Sequence, residues 1–206
     1  MGKNRLSQID YDFLIRPYRD ALFTIQLRLD GLNADYLKMY QNYPIHHIQQ
    51  RIKAKTSIEN KLKKRGLPIT AQIARDELTD IAGIRVICYF TEDVYHLVSQ
   101  MKKQTDLILI KETDYIKEPK ENGYRSYHLV LGIPVYNIEG LQYYPVELQI
   151  RTLTMDLWAS MEHRICYKKE QSFSSSNSSH FRRYTALLDE IEHECKEMCG
   201  YEMTKC

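Results

Sequence analysis

The 206-residue sequence lacks a charge excess of either sign, a long apolar run and the common glycine-rich phosphate loops. Lysine and arginine number 29 against 27 acidic residues, so a net charge of +2 gives no strong overall attraction to nucleic acid or anionic lipid. No apolar stretch reaches the length of a signal-peptide core or a membrane span, which predicts a soluble, cytoplasmic protein without membrane partners. Neither G-x-x-x-x-G-K-[ST] nor G-x-G-x-x-G occurs, so side chains would have to hold any nucleotide.

The cysteines lack a paired framework. The five residues are Cys88, Cys166, Cys195, Cys199 and Cys206. An odd number of irregularly spaced cysteines indicates a reducing compartment rather than a set of disulfides. His193, Cys195 and Cys199 suggest zinc, but residues two apart on a helix point to nearly opposite sides. His193 and Cys195 could not share an ion there, so a zinc site is the less favoured interpretation.

The first part of the chain has the periodicity of helices. Apolar residues recur with helical spacing after Pro17, a residue suited to a first helical turn, until Tyr43-Pro44 interrupts them. This pattern predicts a helical segment over residues 7–42. A second helix is predicted from Ser57 to Arg65, since glycine and proline follow it directly.

The sequence in the centre of the chain predicts mainly strands. Segments rich in β-branched and aromatic residues predict strands at residues 83–90, 107–116, 127–136 and 142–150. A short helix, Val94 to Lys103, is predicted between the first two strands. Apolar stripes then predict helices from Leu153 to Ile165 and over residues 180–204. A serine-rich loop, residues 172–179, separates these helices, and we expect it to be disordered.

These elements predict an α+β fold. We expect one mixed β-sheet flanked by α-helices, within a single domain whose core spans about residues 44–168. The helical segments at both ends of the chain would extend this core.

The strand V-E-L-Q-I-R carries the most chemical information. Alternation places Glu147, Gln149 and Arg151 on one face and the apolar residues on the other. A solvated sheet face is one interpretation. The other involves Asp80, which stands just before another predicted strand and could bind a divalent ion such as magnesium jointly with Glu147. Alternatively, Asp80 caps a turn.

Cations are concentrated in the segment R-I-K-A-K-T-S-I-E-N-K-L-K-K-R-G. Arg51 and Lys53 would share a face in an extended segment, and Lys61 follows within the predicted helix. Ser57 could cap that helix, whose N-terminus would favour an anion. Cations beside a carboxylate pair are typical of metal-assisted phosphoryl transfer. The alternatives are a solvated helix surface and a nonspecific RNA-binding patch, and we do not predict RNA binding.

A loop with the sequence E-P-K-E-N-G-Y-R-S-Y-H surrounds an Asn-Gly pair with aromatic rings and cations. Tyr124 could stack on a base while Lys120 and Arg125 contact phosphates, and Gly123 would let the backbone approach closely. The residues taken alone therefore indicate a magnesium-dependent enzyme acting on nucleotides.

Five motifs, in this order, resemble the synthetase domain of RelA/SpoT-type enzymes and most closely a stand-alone small alarmone synthetase: R-I-K-x-K-x-S-I, D-I-A-G-I-R-V, D-Y-I-K-E-P-K-E-N-G-Y-R-S-Y-H, V-E-L-Q-I-R-T and M-D-L-W-A-S-M-E-H-R-I-C-Y-K. The resemblance covers about Phe13 to Lys168. It implies a nucleotidyltransferase-like fold, Mg²⁺ as cofactor and a homotetramer. The implied reaction transfers the β,γ-pyrophosphate of ATP to the 3′-hydroxyl of GDP or GTP, which releases AMP and makes ppGpp or pppGpp.

The resemblance also implies a role for individual residues. Asp80 and Glu147 would be catalytic and hold magnesium, and Glu147 would help to deprotonate the ribose hydroxyl. Arg51 and Arg85 would sandwich adenine, while Tyr124 would stack on guanine. The implied ATP-binding residues are Arg51, Lys53, Ser57, Lys61 and Arg85. The implied GDP- or GTP-binding residues are Lys120, Tyr124, Arg125, His128 and Gln149.

Two features depart from the family's pattern. The segment K-E-T-D has Thr113 where the long enzymes carry a lysine or an acid, which leaves acceptor preference and metal dependence open. Gln26 and Asp30 occupy positions where some small synthetases sense pppGpp with lysines. Since an acid repels phosphate, we predict little or no activation by pppGpp.

Two alternative functions remain. One is a toxic small synthetase that acts on adenosine nucleotides or tRNA, which the near-neutral charge disfavours. The other is a non-catalytic nucleotide- or RNA-binding regulator, which would be expected to have lost Asp80 or Glu147.

Overall fold

The computed structural model describes residues 5–167 and 175–200. A five-stranded mixed sheet forms its centre. The strands are β1 (Ile45–Ile52), β2 (Ala82–Cys88), β3 (Ile108–Asp114), β4 (Tyr127–Asn137) and β5 (Gly140–Thr152). They lie in the order β1-β2-β5-β4-β3. The central pair, β2 and β5, is parallel, and the other neighbours are antiparallel.

Helices surround the sheet and precede and follow it in the chain. Those in the described residues are α1 (Gln8–Tyr40), α2 (Lys55–Lys64), α3 (Ala71–Glu77), α4 (Thr91–Lys102), α5 (Leu153–Tyr167) and α6 (Ser175–Met198). This arrangement confirms the predicted fold class. No helix within the described ranges is both long and apolar enough to cross a membrane.

One face of the sheet is buried beneath α1 and α4. The helix α1 presents Tyr18, Ile25 and Leu29, all fully buried, to the strands. On β5, Val146 and Leu148 are also fully buried, as the alternating pattern predicted. Because this face is committed to the core, the polar side chains of the same strands must point to the opposite face.

Three details of the predicted helices are wrong. Pro17 lies inside α1, which begins earlier at Gln8, where the Ser7 hydroxyl accepts a hydrogen bond from the Asp10 backbone N–H. Ser57 does not cap α2, because that helix begins at Lys55 after Ala54. Of the serine-rich loop predicted to be disordered, residues 175–179 form the first turns of α6, and residues 172–174 lie outside the described residues.

Two elements were not predicted. The strand β1, I-H-H-I-Q-Q-R-I, lies at the edge of the sheet, and Ile45 is its one buried residue. An edge strand with two partly solvated faces does not show the apolar alternation of a half-buried strand. The helix α3 has only seven residues, too few for a clear helical periodicity.

Candidate active site

The register of three strands builds a polar face opposite the core. Gly83 on β2 is paired with Arg51 on β1 and with Glu147 on β5. Two residues further along β2, Arg85 is paired with Gln149. Since directly paired residues point to the same side of a sheet, these side chains share one surface. This confirms the prediction that Glu147 and Gln149 face away from the core together.

An open cavity of about 320 Å³ lies on this face. Such a volume is within the usual range of ligand sites. Its lining includes six residues predicted from the sequence to act in the site: Arg51, Lys53, Asp80, Arg85, Glu147 and Gln149. The glycine on β2, Gly83, also lines the cavity and leaves its floor without a side chain. The two predicted catalytic carboxylates and three predicted ATP-binding cations therefore meet at one cavity.

Asp80 is an ionised carboxylate held by two lysines. Its Oδ2 accepts hydrogen bonds from Lys53 Nζ at 2.7 Å and from Lys61 Nζ at 2.6 Å. Burial raises the pKa of Asp80, but the two ammonium groups outweigh burial and leave the pKa below its usual value. Its Oδ1 is buried and has no hydrogen-bond partner among the described residues. An anionic oxygen in that position is suited to a cation.

Glu147 faces the same cavity from β5. His128 Nδ1 lies 3.6 Å from its Oε1, and Gln149 Nε2 donates a hydrogen bond to its Oε2 at 3.2 Å. The interaction with His128 is the main cause that lowers the pKa of Glu147, against burial, which raises it. The charge of Asp80 also raises this pKa, so the two carboxylates are close enough to repel each other.

The two carboxylates offer few protein ligands to a divalent ion. Within the described part of the chain, no group of three or more His, Cys, Asp or Glu residues could hold a metal ion. Asp80 and Glu147 together offer a pair of carboxylates, one of which has the partnerless oxygen. A hard cation that completes its shell with water and substrate phosphates, as magnesium usually does, matches such a donor set.

The predicted guanine platform, Tyr124, lies at the opposite end of the polar face. Its Oη is 2.9 Å from His128 Nε2 and accepts a hydrogen bond from Arg151 Nη2 at 2.7 Å. Lys120 Nζ stands 4.9 Å from the centre of the Tyr124 ring. Because Arg151 also donates to Gln149 Oε1 at 2.9 Å, four of the five predicted acceptor-binding residues form one cluster.

The fifth, Arg125, points elsewhere. Its guanidinium forms an ion pair with Asp189 on α6, and it does not line the cavity. Ser57 does not line the cavity either. It lies four residues before Lys61 on α2, and residues at this spacing share a helix face. Ser57 is therefore on the side of α2 that faces Asp80.

The chain matches the family described as "Region found in RelA / SpoT proteins" over residues 50–172. It belongs to that family. It is 41% identical over 166 residues to GTP pyrophosphokinase YwaC of Bacillus subtilis, which covers 77% of this chain and 79% of that protein. It is also 32% identical over 188 residues to GTP pyrophosphokinase YjbM of Bacillus subtilis, with 91% and 87% covered.

Solved structures agree with this assignment to the RelA/SpoT family. Small alarmone synthetase 1 from Bacillus subtilis, bound to its product pppGpp, is 30% identical with a TM-score of 0.80, and the alignment covers 95% of this chain and 98% of that one. Small alarmone synthetase 2 from the same organism is 32% identical with a TM-score of 0.81, covering 93% and 98%. A structure of synthetase 1 bound to AMPCPP is 27% identical with a TM-score of 0.74, covering 92% and 96%.

Two residues of this RelA/SpoT site were not assigned from the sequence. Arg151 is buried, and its Nη1 donates to Asp156 Oδ1 at 3.2 Å while its Nε donates to Ser126 Oγ at 3.4 Å. Asp156, on α5, also lies 3.5 Å from Arg85 Nη1. The alternation of β5 placed Arg151 on the polar face, but its burial depends on α5. The partnership of Asp156 with two arginines has no local signal in the sequence.

The structure locates two of the residues at which the sequence departs from the family's pattern, Thr113 and Gln26. Thr113 is paired with His128 across β3 and β4, so the K-E-T-D segment reaches the part of the site that is predicted to bind the acceptor. The side chain of Gln26 on α1 accepts a hydrogen bond from Gln50, which lines the cavity.

Proposed function

We propose that this chain is a (p)ppGpp synthetase that transfers the β,γ-pyrophosphate of ATP to the 3′-hydroxyl of GDP or GTP and releases AMP. The observation that carries the proposal is the meeting of Asp80 and Glu147 at one cavity, with cations on one side and the Tyr124 cluster on the other. The names of the relatives support it, since they are GTP pyrophosphokinases. So do the ligands of the related structures, pppGpp and AMPCPP.

On the donor side, Arg51 and Arg85 flank the adenine. They lie on neighbouring strands and on the same face, diagonal to each other across the β1–β2 pair. Guanidinium planes stack well on aromatic rings. Lys53 and Lys61 bind the ATP phosphates, with Ser57 near them on α2. Their ammonium groups already stand at the carboxylate, where the charge of a polyphosphate needs compensation.

On the acceptor side, Tyr124 stacks on guanine, while Lys120, His128 and Gln149 seat the nucleotide. Glu147 is ionised at neutral pH because its pKa is lowered, so it can accept a hydrogen bond and then a proton from the ribose hydroxyl. Mg²⁺ held by Asp80 and Glu147 would neutralise charge on the phosphates. The pyrophosphoryl group then leaves AMP and forms a bond to the acceptor oxygen.

The test is a labelling experiment with the purified chain. We incubate it with Mg²⁺, γ-labelled ATP and one acceptor at a time, namely GDP, GTP, GMP or tRNA, and repeat each reaction with excess EDTA. Label in ppGpp or pppGpp that EDTA abolishes is the expected result. Label in tRNA or in adenosine nucleotides alone would favour a toxic synthetase, and no label in any acceptor would favour a non-catalytic regulator.

The variant Glu147→Gln sharpens this test. Removal of the carboxylate should lower kcat by at least about 100-fold, since general-base catalysis contributes about 10²–10⁴. ATP binding, measured by calorimetry, should change little because the donor cations remain. Glu139→Gln, the same change on an exposed turn of the β4–β5 hairpin, serves as the control. Near-normal synthesis by Glu147→Gln would contradict the assignment of Glu147.

We also propose that the chain assembles as a homotetramer. The support is a set of large apolar side chains on α1 that are more than half exposed in the single chain: Ile9, Phe13, Phe23 and Leu27. Such exposed apolar surface is typical of protein contacts. Light scattering after size-exclusion chromatography should give four times the mass of one chain, and a monomer at micromolar concentration would contradict the proposal.

A further inference from the structure

The loop that carries Tyr124 is fastened to α6 on both sides of that residue. On one side, Thr185 Oγ1 lies 3.1 Å from the Gly123 carbonyl and 3.1 Å from the Phe181 carbonyl one turn earlier on α6, so its single proton is shared between these two acceptors. On the other side, Arg125 forms its ion pair with Asp189. Thr185 and Asp189 are four residues apart, so they lie one turn apart on the same face of α6. Two consecutive turns of the C-terminal helix therefore bracket the predicted guanine platform.

The backbone at Gly123 is pressed against α6. Gly123 is buried and has a φ of +89°, a conformation that other residues adopt only with strain. A Cβ atom added there would lie 2.6 Å from Thr185 Oγ1 and 3.5 Å from the Phe181 carbonyl. The loop thus follows the surface of α6 closely, and glycine is the residue that permits this approach.

Two further contacts strengthen this attachment. Trp158 Nε1 donates to the Phe181 carbonyl of α6 at 3.0 Å, and the Trp158 ring packs edge-to-face 6.1 Å from the Tyr124 ring. The Arg125 side chain is only 16% exposed, and its Nε has no hydrogen-bond partner among the described residues. A guanidinium in that position depends on its carboxylate for charge compensation.

We propose that α6 positions Tyr124 for the acceptor nucleotide, with Thr185 and Asp189 as the positioning residues. Loss of either contact frees one flank of the loop, so the platform must be ordered again each time an acceptor binds. The donor cations on β1, β2 and α2 are not part of this contact. The inference rests on the proposed synthetase function, and it predicts a higher KM for the acceptor with the KM for ATP unchanged.

Thr185→Val tests the hydrogen bond because it keeps the shape of the side chain and removes the hydroxyl. We expect the KM for GDP to rise about three- to tenfold, the usual effect of one lost hydrogen bond. The KM for ATP should stay within about twofold. Thr185→Ser, which keeps the hydroxyl, should restore the acceptor KM. Equal KM changes for ATP and GDP, or no change in either, would overturn the proposal.

Asp189→Asn tests the ion pair, with Glu190→Gln as a control that removes the same charge from the next, exposed position of α6. We expect Asp189→Asn alone to raise the KM for GDP. The exchange Arg125→Asp with Asp189→Arg should recover most of that loss. If Arg125 instead binds the acceptor phosphates directly, the exchange will not recover it, and the positioning role of Asp189 is wrong.

Limited trypsin digestion measures how accessible the loop is to cleavage, and it does not depend on catalytic activity. Lys117 and Lys120 are exposed within it, so a loosened loop should be cut there several-fold faster in Thr185→Val and Asp189→Asn than in the wild type or Glu190→Gln. Unchanged cleavage rates would overturn the attachment. A wild-type chain without synthetase activity would instead contradict the proposed function, and the digestion would still decide whether α6 holds the loop.

Discussion

Arg151→Met removes the guanidinium at the centre of the polar cluster while it keeps most of the apolar stem. In the wild type this group donates to four side chains: Ser126, Tyr124, Gln149 and Asp156. The Arg151 side chain is 6% exposed and that of Asp156 is 27% exposed. The substitution therefore leaves a largely buried carboxylate, Asp156, and three further acceptor oxygens without their donor.

The expected loss in free energy of unfolding follows from how far these two side chains are buried. Removal of one partner from a fully buried ion pair costs about 3–5 kcal/mol. Asp156 keeps some solvent and remains 3.5 Å from Arg85, so we take the lower end, about 3 kcal/mol. At about 2–4 °C of Tm per kcal/mol for a chain of this size, the expected loss is about 6–12 °C.

Thermal and urea unfolding followed by circular dichroism measure this loss directly. The control is Arg164→Met, the same change at an exposed position of α5, which should alter the free energy of unfolding by less than about 0.5 kcal/mol. An Arg151→Met chain whose free energy of unfolding is within about 1 kcal/mol of the wild type would contradict this prediction, because the guanidinium would then not be balancing Asp156.

Two further predictions concern a buried acid, Asp93, and the proposed guanine platform, Tyr124. Burial raises the pKa of Asp93 to about 7, helped by the charges of Glu92 and Glu192 and opposed by the backbone N–H of Phe90. An unfolded aspartate has a pKa near 3.8, so between these two values the folded chain holds one more proton than the unfolded chain. The stability of the wild type relative to Asp93→Asn should therefore fall by about 1.4 kcal/mol per pH unit from about pH 4.5 to about 6.5. Urea titrations in which the difference in free energy of unfolding between the two proteins does not change with pH would contradict this. Tyr124→Leu should raise the KM for GDP by about 5- to 150-fold, because base stacking contributes about 1–3 kcal/mol, while Tyr124→Phe should raise it less. A change in initial rates with ATP rather than with GDP would exclude the stacking role.

The polar face was predictable because it depends on alternation within one strand. Glu147 and Gln149 could be placed together from V-E-L-Q-I-R alone, since side chains two apart on a strand share a face. The meeting of Glu147 with Asp80 needed more. It depends on the parallel pairing of β2 with β5, which sets Gly83 beside Glu147. That register is a tertiary property, and the resemblance to a known family supplied what local physics could not.

The direction of Arg125 shows where sequence reasoning ends. Its neighbours in the loop suggested a phosphate contact, since Lys120 and Tyr124 are close by in the chain. Its partner, Asp189, is 64 residues away on a helix whose docking position no local pattern gives. The capping role of Ser57 failed for a smaller reason, because α2 begins one residue after Ala54 without a side-chain cap. Helix ends are set by backbone hydrogen bonds that several nearby residues could begin.

Tyr124 is held from two directions, and this bears on how the site would distinguish its two nucleotides. From the sheet, Arg151 and His128 contact its hydroxyl, and His128 also stands beside Glu147. From the outside, α6 fastens the loop at Gly123. A ring fixed before the acceptor arrives loses little conformational freedom on binding, so stacking can contribute almost fully to affinity. The same contacts join the ring to Glu147, the proposed general base, through His128, so we expect a guanine that is misplaced on Tyr124 also to displace the ribose hydroxyl from Glu147. Acceptor selection should therefore appear in kcat as well as in KM.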